Sequence, residues 1–234
     1  MRNVLRRVML QRTLLSGIGL AVGSAGGAAI AAAQESAEPL DPGVCQLTSE
    51  QIQGAIAFHG HFCPGLSIGI RAAEWCLREF GSGKDGSVAA VIETDRCGTD
   101  AVQFLTGCTF GKGNFVHLNY GKAVYNFYLI AEDRSARLLL NPELTADLAA
   151  EEKTLAKEDR DGRNRIRQKM IRRMFDAPLE EMFRISATHR PFVKRVGTKE
   201  TVRCERCHEP TELTAIQEVQ GQKICGECLA AIHR

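Results

Sequence analysis

The chain has 234 residues, of which 44% are hydrophobic and 25% are charged, and its formal net charge is +2. This balance excludes a disordered or collagen-like chain and predicts one or two domains with a real hydrophobic core. The net charge hides an asymmetry, because the first 33 residues contain four arginines and no acidic residue. The remaining residues carry 26 basic and 28 acidic side chains, a net charge of −2.

Residues 1–33 have the pattern of an export signal. A basic segment that contains Arg6 and Arg7 is followed by a weakly hydrophobic, glycine-rich stretch, and residues 31–33 are the small alanines that signal peptidase prefers. We expect a periplasmic or otherwise exported protein that has no stable membrane insertion after cleavage. An uncleaved anchor is the alternative, since about 20 residues can span a bilayer. The arginine pair fits both the twin-arginine route and the general secretory route.

Residues 42–140 are predicted to form an α+β core domain, in which helices pack on a mixed sheet. Thr48 and Gln51 have the spacing of a capping box, which marks the start of the first helix. The spacing of apolar residues and the runs of β-branched residues define the other elements. In chain order we predict helices over 49–58 and 66–80, a central strand at Val88–Ile92, a helix over 100–106, and an antiparallel meander of the runs 114–120, 123–131 and 137–140.

Residues 141–198 are predicted to form a charged helical connector. Asn141 and Pro142 have the form of a helix N-cap followed by proline. We expect a break in the helical pattern near Asp161-Gly162. The apolar stripe of the second half consists of Ile166, Met170 and Met174. This half is rich in arginine, but acidic residues nearby balance its charge, which favours a solvated helix face over a nucleic-acid surface. We therefore expect no nucleic-acid partner.

Residues 199–234 contain two cysteine pairs with the spacing C-x2-C-x17-C-x2-C, and these are Cys204, Cys207, Cys225 and Cys228. The spacing is typical of a four-thiolate zinc ribbon. The segment has few large apolar residues, so a structural zinc ion would supply its folding energy. Two alternatives stay open. The string from Cys204 to His208 is also the attachment motif of c-type haem, and an oxidising compartment permits disulfides.

A second group of metal-binding residue types precedes the predicted helix over 66–80. His59, His61 and Cys63 alternate, so in an extended segment their side chains would project to one side and converge on one ion. Pro64 suits a first helical turn, which places Cys63 at a helix N-terminus, where the pKa of a thiol is lowered. Cys97 precedes the next helix in the same way. We expect Cys63 and Cys97 to face each other.

The segment that follows Cys108 is rich in glycine. It can bring backbone amides and Lys112 close to an anion, although it lacks the spacing of a P-loop. Cys76 lies beside the buried stripe of its helix and is predicted to be a core residue. Cys45 carries no pattern that indicates a role.

Three motifs resemble those of the FmdE family of formylmethanofuran dehydrogenase proteins. They are FHGHFCPG at 58–65, CGTDAVQ at 97–103 and TGCTFGKGN at 106–114. The resemblance implies an α+β core that is often dimeric, with a zinc-like metal in a cleft. The cleft would be lined by His59, His61, Cys63, Cys97 and Cys108, with Asp100 and Lys112 as polar neighbours. The cysteine pairs resemble the zinc ribbon of many members, but His208 stands where glycine is common.

These patterns together predict an exported metalloprotein with a structural zinc ion and a second metal, expected to be zinc, in the core domain. Cys63 or Cys97 would be a metal ligand or a nucleophile, and His61 or His59 a ligand or proton carrier. Formylmethanofuran chemistry belongs to a cytoplasmic complex, so we expect a stand-alone relative linked to molybdenum or tungsten redox metabolism. Its substrate or redox partner is unknown, and a homodimer is expected. Non-catalytic metal delivery and haem electron transfer are the alternatives.

Overall fold

A computed structural model describes residues 43–188, 190–194 and 198–232. All of them belong to one compact unit. The predicted export signal over 1–33 lies outside these ranges. Within the described residues, no helix combines the length and the apolar character that crossing a bilayer requires.

The described residues form helices and strands largely where the sequence predicts them. The helices are α1 (Ser49–His59), α2 (Pro64–Glu79), α3 (Gly98–Thr106), α4 (Ala146–Thr154), α5 (Arg160–Asp176), α6 (Leu179–Met182) and α7 (Gly226–Ile232). The strands are β1 (Val88–Ile92), β2 (Phe115–His117), β3 (Val124–Leu129), β4 (Arg134–Leu140), β5 (Phe183–Ser186), β6 (Thr201–Arg203), β7 (Pro210–Glu212), β8 (Ile216–Val219) and β9 (Gln222–Cys225). The capping box of α1 is confirmed, because Thr48 Oγ1 accepts the Gln51 amide at 3.2 Å and Gln51 Oε1 accepts the Thr48 amide at 2.9 Å.

A five-stranded mixed sheet with the order β2-β1-β3-β4-β5 lies at the centre of the core. β1 is parallel to β2 and antiparallel to β3, and β4 and β5 continue the antiparallel arrangement. The predicted mixed sheet and the interior position of β1 are confirmed. The predicted meander is wrong at its first run, because β2 pairs with β1 and not with β3. The crossover through α3 returns the chain to the same end of β1, which produces a parallel pair.

The helical stretch after β4 breaks earlier than predicted. Asn141 caps its first turn as expected. The break lies over 155–159 and not at Asp161-Gly162, because Asp159 Oδ1 accepts the Gly162 amide at 2.8 Å and starts α5. The predicted apolar stripe of α5 is buried. The chain then enters β5, which lies within the range predicted as connector and extends the core sheet beside β4.

The sheet separates two apolar layers, because successive side chains of a strand point to opposite faces. Ile92 and Phe127 belong to the larger layer, which includes residues of α2 and α5. Val91 and Tyr128 belong to the smaller layer on the other face, where Phe192 packs against them. The two faces of the sheet therefore have different neighbours and can carry different sites.

Glycines allow α2 and α3 to approach each other closely. A Cβ atom at Gly69 would collide with the backbone of Gly98, and a Cβ atom at Gly98 would collide with Tyr125 Oη. Gly65, one turn before Gly69, lies against Cys97. Side chains at these positions would force the two backbones apart. The N-terminal ends of α2 and α3 are thereby held next to each other.

Replacing Gly69 by alanine should destabilise the core. The higher helix propensity of alanine, worth about 1 kcal/mol, offsets only part of the overlap with Gly98, so we expect a net loss of about 1–3 kcal/mol in the free energy of unfolding. Chemical denaturation measures it. The matched control is Gly111→Ala, since a Cβ atom at Gly111 meets no other atom within 4 Å. Equal stabilities of the two variants would contradict the close helix contact.

Candidate metal sites

Cys63 lies at the start of α2, as the sequence predicts. Its backbone is extended, with φ −148° and ψ 163°, and Pro64 occupies the first helical position. Cys63 Sγ accepts the Leu66 amide at 3.4 Å, in the manner of a helix cap. The thiol is partly exposed, so it is held in one orientation and remains accessible.

Cys97 lies directly before α3 and is also partly exposed. The contact between α2 and α3 places both sulfurs around Gly65. Cys97 Sγ lies 3.4 Å, and Cys63 Sγ 3.9 Å, from the position that a Cβ atom of Gly65 would occupy. The two thiols therefore lie side by side, which agrees with the expectation that they face each other.

His59 completes this group from the last residue of α1. Its Nδ1 donates a hydrogen bond to Asp100 Oδ2 at 2.8 Å. Because an ionised carboxylate only accepts, Nδ1 carries the proton and Nε2 of the neutral ring keeps a free lone pair. His59 Nε2 is buried and has no hydrogen-bond partner. A buried nitrogen without a partner is costly, and a bound cation would satisfy it.

One ring nitrogen of His59 and the sulfurs of Cys63 and Cys97 all lie within 4.8 Å of one another. Thiolates bound to zinc at about 2.3 Å in tetrahedral geometry are about 3.8 Å apart, so small side-chain rotations suffice to close the group around an ion. The donor set, one imidazole and two thiols, suits zinc and other borderline-soft metals. We call these three residues the core site, and they fit a metal ion.

His61 lies beside the core site but outside the converging set. Its side chain is exposed, and its ring centroid lies 4.6 Å from that of His59. The expectation that His59, His61 and Cys63 project together from one extended segment is wrong. His59 belongs to α1 and Gly60 turns the chain through a left-handed conformation, with φ 92°. His59 and Cys63 therefore converge from two helix ends.

Cys108 is separated from the core site by the length of α3. Cys97 precedes this helix and Cys108 follows it, and nine helical residues span about 14 Å. Cys108 is fully buried, and its Sγ donates to Val88 O at 3.4 Å. Lys112 lies at the same end, where its Nζ donates to Gly83 O at 3.4 Å. Of the residues that the family resemblance places in one cleft, these two lie elsewhere.

The sequence predicts a lowered pKa for the Cys97 thiol, and the structure shows the opposite shift. Burial, followed by the neighbouring sulfur of Cys63, raises the pKa of Cys97 above its ordinary value. The Asp100 carboxylate adds to this rise, and a backbone hydrogen bond to the Cys97 sulfur opposes it only in part. A cation between the sulfurs would reverse this effect, since metal ligation favours the thiolate.

Two residues near the core site acquire a role that no sequence pattern reveals. Asp100 has the role of an orienting partner for His59, although the resemblance gives it only as a polar neighbour. Tyr125 of β3 places its hydroxyl against Gly98, and burial raises its pKa. In the sequence Tyr125 is one apolar residue of a strand. Only the pairing of β3 with β1 places it beneath the start of α3.

The four cysteines of the C-terminal segment also converge. Their sulfurs lie within 4.8 Å of one another, and the residues are Cys204, Cys207, Cys225 and Cys228. Cys204 and Cys207 lie in the connection between β6 and β7, Cys225 is the last residue of β9, and Cys228 lies in the first turn of α7. We call this four-cysteine group the ribbon site. It fits a zinc ribbon, as the spacing predicts.

Backbone amides make the sulfurs of the ribbon site unequal. The amides of Cys207 and Cys225 donate to Cys204 and lower its pKa to about 6. Burial and the neighbouring sulfurs raise the pKa of Cys228 to about 12. Four thiolates this close repel one another without a cation. A divalent ion is therefore the group that lets all four ionise together.

The fold and the two sites fit an α+β metal-binding protein whose C-terminal cysteine cluster fits a zinc ribbon. Residues 58–184, just over half of the chain, match the model of a family described as "FmdE, Molybdenum formylmethanofuran dehydrogenase operon". The chain belongs to the FmdE family. The assignment that the sequence motifs suggested is thereby confirmed.

Two known proteins are similar to the chain over most of its length. A crystal structure of a tungsten formylmethanofuran dehydrogenase FmdE-like protein from Syntrophus aciditrophicus shares the fold, with a TM-score of 0.53 over 78% of this chain and 91% of that one, at 23% identity. A probable S-adenosyl-L-methionine-binding protein of Archaeoglobus fulgidus is 24% identical in an alignment of 194 residues that covers 76% of this chain. The chain spans about half of that relative, or 53% of its length.

Asp100→Ala should weaken metal binding at the core site about 10–100-fold, because His59 loses the partner that fixes its tautomer and orientation. Competition with a zinc-chelating dye, fitted to two sites, measures this. The matched control is Asp95→Ala, which removes an exposed carboxylate from the loop before α3. Equal core-site affinity in the two variants would show that Asp100 does not support the ligand.

Proposed function

We propose that the protein is an exported, zinc-binding member of the FmdE family in which the core site is reactive and the ribbon site is structural. The observation that carries this proposal is His59 Nε2. It is buried without a partner beside two thiols, while Nδ1 of the same ring is fixed by Asp100. This is the arrangement of a metal-ligating histidine with its orienting carboxylate.

The number of protein ligands distinguishes the two sites. The ribbon site offers four sulfurs, which complete the tetrahedral coordination of zinc and leave no position for a substrate. The core site offers three ligands, the number typical of catalytic zinc centres. A zinc ion there would supply Lewis acidity toward a substrate oxygen or sulfur.

The residues around the core site have separate tasks in this proposal. Cys63 and Cys97 would hold the ion as thiolates. Asp100 holds the Nδ1 side of the His59 ring, so the lone pair on Nε2 points away from the Asp100 carboxylate. His61 is exposed beside His59, which suits a group that carries protons between the core site and solvent. Gly65, Gly69 and Gly98 keep side chains out of the contact between α2 and α3. The Tyr125 hydroxyl lies against Gly98 at this contact.

Export and a place in molybdenum- or tungsten-linked redox metabolism are further parts of the proposal. The signal pattern of residues 1–33 supports export. The family description and the name of the Syntrophus aciditrophicus protein support the metabolic link. A protein that crosses a membrane already folded would carry its metals with it and protect its thiols from oxidation.

Metal delivery without catalysis is the second candidate. It is favoured by the partial exposure of Cys63 and Cys97, which would permit transfer of an ion to a partner thiol. Slow metal exchange and tight binding at the core site would argue for a resident ion, and rapid exchange with a chelator for delivery. Haem attachment at Cys204 and Cys207 receives no support, because both sulfurs converge with Cys225 and Cys228.

Replacing Cys63 and Cys97 together by serine should lower the bound metal from two ions per chain to one, because only the ribbon site then retains its thiolates. Elemental analysis of the purified protein measures the stoichiometry. Cys108→Ala is the control, since it removes a buried thiol that lies outside both sites, and it should retain two ions. Unchanged stoichiometry in the double variant would refute the core site as a metal centre.

A further inference from the structure

A cavity of about 480 Å³ lies on the face of the sheet opposite α2 and α3. Its walls include Val91, Val116 and Tyr128, which belong to the smaller apolar layer. Tyr125 and Ile92, which belong to the larger layer, point to the other face. The cavity is therefore separated from the core site by the thickness of the sheet, and the function proposed above does not use it.

The floor of the cavity is polar although it is buried. Asn126 is 4% exposed, and its Nδ2 donates to Val91 O at 2.9 Å and to Glu93 Oε1 at 3.2 Å. Arg137 reaches the same carboxylate, with Nη2 lying 3.5 Å from Glu93 Oε2. Polar groups at the centre of a sheet face are costly unless they are paired. Their fixed arrangement is typical of a binding pocket, where a few oriented polar groups stand among apolar walls.

A segment after β5 forms one side of the cavity. Tyr128 Oη donates to Arg190 O at 3.1 Å, and Arg190 Nη1 donates to Tyr120 Oη at 2.8 Å. The Arg190 guanidinium also lies over the Tyr120 ring, 5.5 Å from its centroid. Phe192 packs against Tyr128 with ring centroids 5.6 Å apart. These contacts hold the rings of Tyr120 and Tyr128 and the guanidinium of Arg190 beside the cavity.

Positive charge exceeds negative charge around the cavity. Lys122, Arg137 and Arg190 line it, and Glu93 is the one acidic residue among the lining side chains that the structure describes. The Glu93 carboxylate already accepts from Asn126 and faces Arg137. A guanidinium has five N–H donors, so Arg137 keeps donors for a second anionic partner. The cavity therefore combines apolar walls with cationic groups that can bind an anion.

We propose that this cavity binds a small organic anion, with an apolar body about the size of one or two aromatic rings and a carboxylate at one end. The body would lie between Val116, Tyr128 and the Tyr120 ring, and the carboxylate would meet Lys122 and Arg137. The volume lies in the range of small-molecule pockets, about 300–1,000 Å³. A planar carboxylate also matches the fork of an arginine.

Binding of naphthoate tests the proposal, with naphthalenemethanol as its neutral counterpart, and isothermal titration calorimetry provides the readout. We expect naphthoate to bind at least tenfold more tightly than the alcohol, because only the carboxylate forms charge-assisted hydrogen bonds. Lys122→Gln should weaken naphthoate binding about fivefold to tenfold. Lys122 is exposed, so this variant should fold normally.

Two controls locate the site. Lys153→Gln removes an exposed cation of α4, outside the cavity, and should leave naphthoate affinity unchanged. The variant with Cys63 and Cys97 replaced by serine should also bind naphthoate normally, since the cavity is on the other face. Loss of binding in that variant would place the carboxylate at the core-site metal and overturn the proposal. Equal affinities for naphthoate and the alcohol, or no binding of naphthoate at millimolar concentration, would overturn it too.

Discussion

The contact between α2 and α3 determines the geometry of the core site. Gly69 and Gly98 allow the two backbones to touch, and Gly65 leaves room for Cys97 at the start of α3. Cys63 begins one helix and Cys97 the other. A larger side chain in this contact would separate the helices and the two sulfurs with them. The glycines thus set the distance between two candidate metal ligands that are 34 positions apart in the chain.

The two candidate metal sites each bring sulfur atoms within 4.8 Å of one another, but they differ in their other ligands. Closely spaced sulfurs repel one another as thiolates, and burial together with the neighbouring sulfurs raises the pKa of Cys97 and of Cys228. In the ribbon site four sulfurs converge and would complete the tetrahedral coordination of an ion. In the core site His59 replaces one sulfur, and its carboxylate partner Asp100 lies on the side away from the free nitrogen. The ribbon site offers four protein ligands to an ion and the core site three.

Local sequence patterns predicted the elements but not how all of them associate. The capping box of Thr48, the helix of Pro64 and the strand at 88–92 depend on neighbouring residues, and all of them form as predicted. The partner of β2 depends on the path of the chain through α3. The residues of 114–120 carry no information about that path, so the sequence wrongly predicts that this run joins the antiparallel meander.

The same limit explains which site residues the sequence identified. The ribbon spacing marks the four C-terminal cysteines, and the positions of Cys63 and Cys97 before predicted helices are local features as well. His59 is different, because the sequence predicts it in an extended segment with His61, and its place at the end of α1 depends on where that helix ends. Cys108 has the same residue type and a similar motif, yet it lies at the far end of α3. The cavity on the opposite face combines residues of several strands and a later loop. No single segment of the sequence contains enough of it to be recognised.

Anomalous diffraction at the zinc absorption edge, from crystals of the metal-loaded protein, tests the central claim most directly. The structure predicts two zinc peaks, one among the four sulfurs of the ribbon site and one bounded by His59 Nε2, Cys63 Sγ and Cys97 Sγ. A single peak at the ribbon site, with Cys63 and Cys97 joined as a disulfide or bound to no ion, would contradict it.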